Sequence, residues 1–335
     1  MAEVAISEAS LALPQWAPVV SVEPLTINDA LDAYMLDLTS RKRRPAKAST
    51  LATFRAYRKW IDNRVGPHPI ADFNNAAMRD FVAFLAASKL SPKTISEIAG
   101  LVKLAIGALV DPVTGSQIHV RVWNSKFIDA PESKTARRPT LTAKELQDAI
   151  AAAYGVGQVL DAVLWSLGAA SGARISELQG IRLGPIEDSS EWRCEECCLV
   201  IRTSIWRGSE YSPKTEAANR VIELQQAMND FIKQFTLRRS TQTGDYLFAN
   251  SHGRPTDVST LRERLDEYLP GKGFHSLRRF RARHLRANNV NDEITKYLLG
   301  HSNKDLTSRY SQLGSDADRR RIEVDRVGLG FDLPG

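Results

Sequence analysis

The sequence predicts a mainly α-helical protein with one small β-sheet, divided into two domains. Three observations lead there. The chain has 335 residues, more than the roughly 150 that one domain usually holds. Long stretches carry apolar residues at helical spacing. One stretch differs: two β-rich runs, about 198–206 and 219–224, flank a polar loop and read as a hairpin.

Residues 1–24 read as a flexible N-terminal tail, because Pro14, Pro18 and Pro24 interrupt any helix. Residues 25–111 read as a four-helix domain. LTINDALDAYMLDL is the first helix, and STLATFRAYRKWIDNRVG is the second, entered at Ser49 and stopped near Gly66. NNAAMRDFVAFLAAS is the third. SPKTISEIAGLVKLAIGALV is the fourth, with Ser91 as N-cap and Pro92 at the first helical position. Between the first two helices lies SRKRRPAKAS. Its Arg41, Lys42, Arg43, Arg44 and Lys47 form a solvated connector in most settings, and a phosphate clamp in a DNA-binding one. Residues 112–138 lack a period and are rich in turn formers, so they read as a linker.

A second domain, 139–315, opens at Thr142 and Glu145, which have the spacing of a capping box. Helical segments run to about Leu183. After the hairpin the chain returns to helix, and one helix begins near Asn291 and stops at Gly300. Residues 316–335 form a C-terminal tail that would pack on a neighbouring subunit or fray.

Charged residues make up 25% of the chain and hydrophobic residues 43%, as in a soluble protein with a core. The net charge of +6 favours a polyanionic partner, since bound cations release counterions from phosphates. The cysteines, Cys194, Cys197 and Cys198, are few, clustered and odd in number, which suits a reducing compartment. Cys194 and Cys197 have C-x-x-C spacing but no fourth ligand nearby, so no metal site is expected. No apolar run is long enough to span a membrane and no basic leader opens the chain, so a cytoplasmic protein is expected. Walker A, G-x-S-x-G and H-E-x-x-H motifs are absent.

What remains is a dispersed set of basic residues and one tyrosine. Arg174 sits in Ser171-Gly-Ala-Arg-Ile-Ser-Glu177-Leu. Lys214 sits in the loop of the expected hairpin, followed by Arg220-Val-Ile-Glu-Leu224. His275 and Arg278 are three apart and share a helical face. The arginines that follow, Arg279, Arg281, Arg283 and Arg286, suit the DNA backbone or solvent. His284 suits a packed, hydrogen-bonded position. His301 ends Leu298-Leu-Gly-His, and Tyr310 follows nine residues later.

In this order and spacing, these elements resemble the tyrosine recombinase, or phage integrase, family. The likeness spans about residues 25–315. STLATFRAYRKW and LSPKTISEIAGLVKLAIGAL resemble helices of the family's core-binding domain, and TLTAKEL resembles the start of its catalytic domain. Departures are Arg279 where the family often has His, the neighbouring Phe280 and Arg281, and the CEECC segment. With 24 residues ahead of the first helix, an arm-type DNA-binding domain is not expected.

The resemblance implies a helical core-binding domain joined to a mixed α/β, α-rich catalytic domain. Tyr310 would be the nucleophile. Arg174 and Arg278 would grip the scissile phosphate, Lys214 would protonate the leaving oxygen, His275 would serve as base, and His301 would bind the phosphate. Glu177 would orient the Arg174 turn. Arg41, Lys42, Arg43, Arg44, Lys47, Arg279, Arg281 and Arg283 would contact DNA. No cofactor, metal or ATP is implied. The partners implied are duplex DNA with a specific site, further copies forming a tetramer on two sites, and accessory DNA-bending or directionality proteins. The protein would be associated with the nucleoid. A mobile-element integrase, a Xer-like resolvase, a type IB topoisomerase-like enzyme and a non-catalytic DNA-binding protein are the readings to separate.

Overall fold

The computed structural model describes residues 24–43, 45–132, 139–211, 219–239, 241–301 and 316–335. The chain divides into two compact units, 1–136 and 137–335.

The first unit carries α1 (Ile27–Ser40), α2 (Ala48–Asp62), α3 (Asn75–Ala87), α4 (Pro92–Ala108) and a single turn, α5 (Ser125–Ile128). Its helix starts are set by side chains. The Thr26 hydroxyl accepts from the Asp29 amide while the Asp29 carboxylate accepts from the Thr26 amide, and Ser91 caps α4 through the Thr94 amide. Ile27, Leu31, Ile61, Phe81, Leu85, Ile98 and Val102 interlock in one core. Part of the expected linker belongs to this unit. Arg121 donates to the carbonyls of Ile70 and Ala71 (3.0 and 2.8 Å), and Ile128 is buried in the same core. A segment without periodicity is thus held by side-chain to backbone bonds, which leave no pattern in sequence.

The second unit is organised around a helix that is buried on every side. α6 (Ala143–Gly155) starts at the Thr142–Glu145 capping box. It leads into α7 (Val159–Ser171), in which every residue from Asp161 to Ser171 is buried. A helix buried all round is a core helix. α7 stops at Gly172, whose φ of +68° is the left-handed region and whose added Cβ would lie 2.6 Å from Leu299. α8 (Ile175–Leu178) follows at once.

Strands β1 (Arg182–Leu183), β2 (Glu191–Arg193), β3 (Cys198–Ile201) and β6 (Arg220–Glu223) form one sheet in the order β1-β2-β3-β6. Only β1–β2 is parallel. The expected hairpin is only partly what forms. β3 and β6 do pair antiparallel, Ile201 opposite Arg220, but the run 198–206 breaks after Ile201. The Ser190 hydroxyl accepts from the amides of Arg202 and Thr203 (2.9 and 2.8 Å), so those residues leave the ladder. β4 (Ser204–Trp206) and β5 (Ser209–Tyr211) then make a second, separate hairpin. The four-residue turn from Cys194 to Cys197 joins β2 to β3. It is fastened by Asn229 Nδ2 on the Cys194 carbonyl and by Arg321 on the Cys197 carbonyl. Cys198 is buried, and burial pushes its thiol up to about 12, which makes it unreactive.

The chain continues through α9 (Gln226–Leu237), α10 (Val258–Tyr268), α11 (His275–Ala287), α12 (Asp292–Leu299) and α13 (Ala317–Val327). α11 packs on α7. The segment expected as a tail is ordered against its own unit. Val327, Leu329 and Phe331 join the core, and Arg320 in α13 pairs bidentately with Glu223 in β6. Both side chains are buried, and the Arg320 guanidinium also lies over the Tyr297 ring. Breaking one half of such a pair leaves a buried charge. Arg320→Met is expected to lower unfolding free energy by about 3–5 kcal/mol. Adding Glu223→Leu should restore much of it, as denaturant midpoints of the two variants would register.

Candidate functional site

The Arg174 turn is built first. Gly172 ends α7, and Arg174 stands at the N-cap of α8. Glu177, one turn on, reaches back: its carboxylate accepts from the Arg174 amide (2.9 Å) and from Arg174 Nη1 (2.6 Å). Glu177 is 2% exposed, so an isolated charge there would be costly. Burial works to raise its pKa, but Arg220 and then Arg174 outweigh it and hold the carboxyl below its usual range. Glu177 therefore orients Arg174 through both backbone and side chain.

Arg278 comes from the first turn of α11. It is 3% exposed, and its Nη1 donates to the Gly172 carbonyl at 2.8 Å. Its Nη2 is buried and makes no hydrogen bond among the described residues. Burial, with the neighbouring Arg174 next in weight, lowers its pKa to about 10, so it remains charged at neutral pH. A buried guanidinium with an unused donor is poised for an anion that brings its own acceptors.

Arg174, His275 and Arg278 line one cleft of about 370 Å³, together with Phe274 and Arg262 of α10. His275 begins α11 and is exposed, whereas Arg278 points inward; their three-residue spacing brings them to the same opening. Arg262 is exposed on the cleft wall. Nothing in its local sequence sets it apart from Arg264, which instead pairs with Asp161 at 3.2 Å.

His301 enters from the end of α12. Gly300 there has φ +61°, and its carbonyl lies 3.4 Å from Arg174 Nη2. His301 is exposed yet partly desolvated, and that burial, followed by the charges of Arg278, Arg174, Arg286 and Arg220, lowers its pKa. Arg220, at the start of β6, is buried between these parts. It donates to Glu177 Oε2 (2.8 Å) and to the Leu298 carbonyl (2.9 Å). The sequence offered only its place after the β-hairpin lysine.

Lys214 and Tyr310 lie outside the described residues, as does Arg44. β5, the strand that leads toward Lys214, is held through Glu210, which accepts from Arg182 Nε (3.0 Å) and from the Tyr246 hydroxyl. The expected DNA contacts divide. Arg41, Lys42, Arg43 and Arg283 are exposed, Arg41 in an ion pair with Asp37, and Lys47 is half-buried at the N-cap of α2. Arg279 is half-buried and donates to the Pro139 carbonyl through Nε and Nη2. Arg281 is not available to DNA: it is 2% exposed and donates to the Gly328 carbonyl. Arg281 stands three residues beyond the buried Arg278, on its face of α11, and so follows it inward. His284 is the packed histidine expected, its Nε2 on the Val327 carbonyl and its ring stacked on Phe280.

No helix among the described residues is long and apolar enough to cross a membrane. The family model described as the phage integrase family matches residues 139–316. No curated protein matches. Among solved structures, the integrase of transposon Tn1549 in complex with transposon right end DNA is 19% identical, with a TM-score of 0.65, over 89% of this chain and 99% of that one. A lambda integrase dimer bound to a COC′ core site is 19% identical, with a TM-score of 0.58, over 85% and 95% of the two chains. A lambda integrase tetramer bound to a Holliday junction is 19% identical, with a TM-score of 0.57, over 89% and 80%. At these identities the likeness is one of fold.

The electrostatics give an expected titration. In the free protein His301 should have an NMR titration midpoint below 6.5, its ordinary value. A depressed folded pKa means that the unfolded chain binds more protons. His301 thus favours folding above pH 6.5, and that contribution fades as pH falls toward the folded midpoint. In Arg278→Met the midpoint should move upward; an unchanged midpoint would show that Arg278 does not act on the imidazole.

Proposed function

The chain belongs to the phage integrase family, the tyrosine recombinases of DNA, and on that premise we propose that it cuts and rejoins DNA at a specific site through a covalent bond to Tyr310. One observation carries this reading: Arg174, His275 and Arg278, dispersed over more than a hundred residues, open onto one cleft, and Arg278 keeps a buried donor that makes no hydrogen bond among the described residues.

The reaction needs a nucleophile, a proton for the leaving group and neutralisation of charge on the phosphate. The Tyr310 oxygen attacks phosphorus, and the bond from phosphorus to the 5′ oxygen breaks. The phosphate stays on the tyrosine through the 3′ end of the cut strand. His275 takes the tyrosine proton and Lys214 gives one to the departing 5′ oxygen. Arg174 and Arg278 hold the two non-bridging oxygens, and His301 donates a further hydrogen bond. Fixed guanidinium charge placed where negative charge grows is the main source of acceleration. The ester keeps the bond energy, so a 5′ hydroxyl from another strand reverses the step without ATP. These residues supply the phosphate binding and proton transfers themselves.

Arg41, Lys42, Arg43, Arg44, Lys47 and Arg283 contact the DNA backbone, and Arg262 adds a phosphate contact at the cleft. Integration or excision of a mobile element is the role favoured by fold likeness to transposon and phage integrases bound to DNA. The lambda tetramer on a Holliday junction supports assembly of four copies on two sites. The cytoplasm, on the nucleoid, is the place of action.

Covalent capture tests the proposal. Purified protein is incubated with fragmented DNA from its source, denatured, and the attached DNA is sequenced. Linkage that converges on one sequence and disappears in Tyr310→Phe is expected. Arg174→Ala should slow single-turnover cleavage about a hundred- to thousand-fold. Linkage spread over many sequences would point to a topoisomerase. Full linkage by Tyr310→Phe would remove the assigned nucleophile, and none in the wild type would favour a binding protein.

A further inference from the structure

We propose that Arg220 is a positioning residue that locks the Arg174 turn and the His301 turn to one another, so that both address the same phosphate. This inference deepens the reading above and rests on it.

Arg220 begins β6 opposite Ile201, and its side chain is fully buried. One edge of its guanidinium meets Glu177 Oε2 at 2.8 Å. The same Glu177 oxygen accepts from the Arg174 amide, and its other oxygen holds Arg174 Nη1. Arg220 Nε, meanwhile, donates to the Leu298 carbonyl at 2.9 Å, in the last turn of α12. A Cβ added to Gly300 would lie 2.7 Å from Arg220 Nη1, so the guanidinium is seated against the residue preceding His301. A second bond ties the same strand to the same helix: the Val221 amide donates to the Tyr297 hydroxyl at 3.3 Å. Arg174 closes the loop with Nη2 at 3.4 Å from the Gly300 carbonyl.

Three segments remote in sequence thus share one planar cation. A guanidinium suits this task because its donors are fixed in a plane and point in different directions. A lysine in its place keeps the charge but has a compact head that cannot span the carboxylate and the carbonyl together. Arg220 does not line the cleft, so it acts through Glu177, Arg174 and Gly300. Its effect should fall on the chemical step and spare DNA affinity, which comes from exposed cations.

The test compares wild type, Arg220→Lys and Arg220→Met in the full-length protein. Far-UV circular dichroism and melting monitor folding; should Arg220→Met fail to fold, Arg220→Lys carries the comparison. Three readouts follow: affinity for a duplex carrying the captured site, single-turnover cleavage of that duplex with a nick that traps the covalent product, and the His301 imidazole titration by NMR. Arg220→Met should bind DNA within about threefold of wild type and cleave it at least about a hundredfold more slowly. Arg220→Lys should recover part of that loss. The His301 midpoint should shift in Arg220→Met even without DNA. Wild-type cleavage together with an unmoved His301 midpoint in Arg220→Met would overturn the inference, as would an equal loss of affinity and cleavage. A His301 midpoint that also shifts in Arg220→Lys, which keeps the charge, in a protein whose wild type never cleaves would support the positioning role and overturn the chemical reading instead.

Discussion

A buried carboxylate balances the cations of this site. Arg174, Arg220 and Arg278 lie close enough to influence one another and His301, and as like charges they repel. Glu177 offsets that repulsion at its centre, with one oxygen on Arg174 and the other shared between Arg220 and the Arg174 amide. Burial alone would drive this carboxylate toward its neutral form, and the two guanidiniums keep it ionised. Glu177 and the guanidiniums of Arg174 and Arg220 are tolerable there only together. That mutual dependence fixes the α8 turn, the start of β6 and the end of α12 as one unit.

The backbone is shaped to permit this. Gly172 and Gly300 both take left-handed conformations, and both are crowded, by Leu299 and by Arg220 respectively. They let two helix ends approach a common point. α7 supplies the rigid floor, since it is buried on all sides, and α11 lies against it to deliver Arg278 inward and His275 outward. A site carried on helix ends that are anchored to a core helix holds its charges in place, as the proposed phosphate chemistry requires.

The same physics accounts for the one residue that left the expected DNA surface, Arg281. Arg281 lies one helical turn beyond Arg278 and is drawn into the interior, where the Gly328 carbonyl receives it. Burial lowers its pKa to about 10, and it fastens the C-terminal segment instead of a phosphate. His284, also on α11, does the same with Nε2 on the Val327 carbonyl, and Arg320 does so from within the segment by its pair with Glu223. The segment expected as a tail is therefore knit into the unit that holds the site.

The sequence by itself determined much. Helix periodicity, the Ser91 and Thr142 caps and the Gly300 stop are local signals, written within a few residues, and each appears in the fold. Arg174, His275 and Arg278 were singled out by an order and spacing that resemble the family's, and they do line one cleft. Tertiary structure decided the rest. The break after Ile201 depends on the Ser190 hydroxyl, twelve residues from Arg202. The inward turn of Arg281, the seat of Arg320 on Glu223 and the link from Arg220 to Leu298 join residues 47 to 97 positions apart. Such contacts obey no period. A lone arginine reads alike whether it faces solvent, a phosphate or a buried carboxylate, because only the packed fold sets which acceptors and how much water surround it.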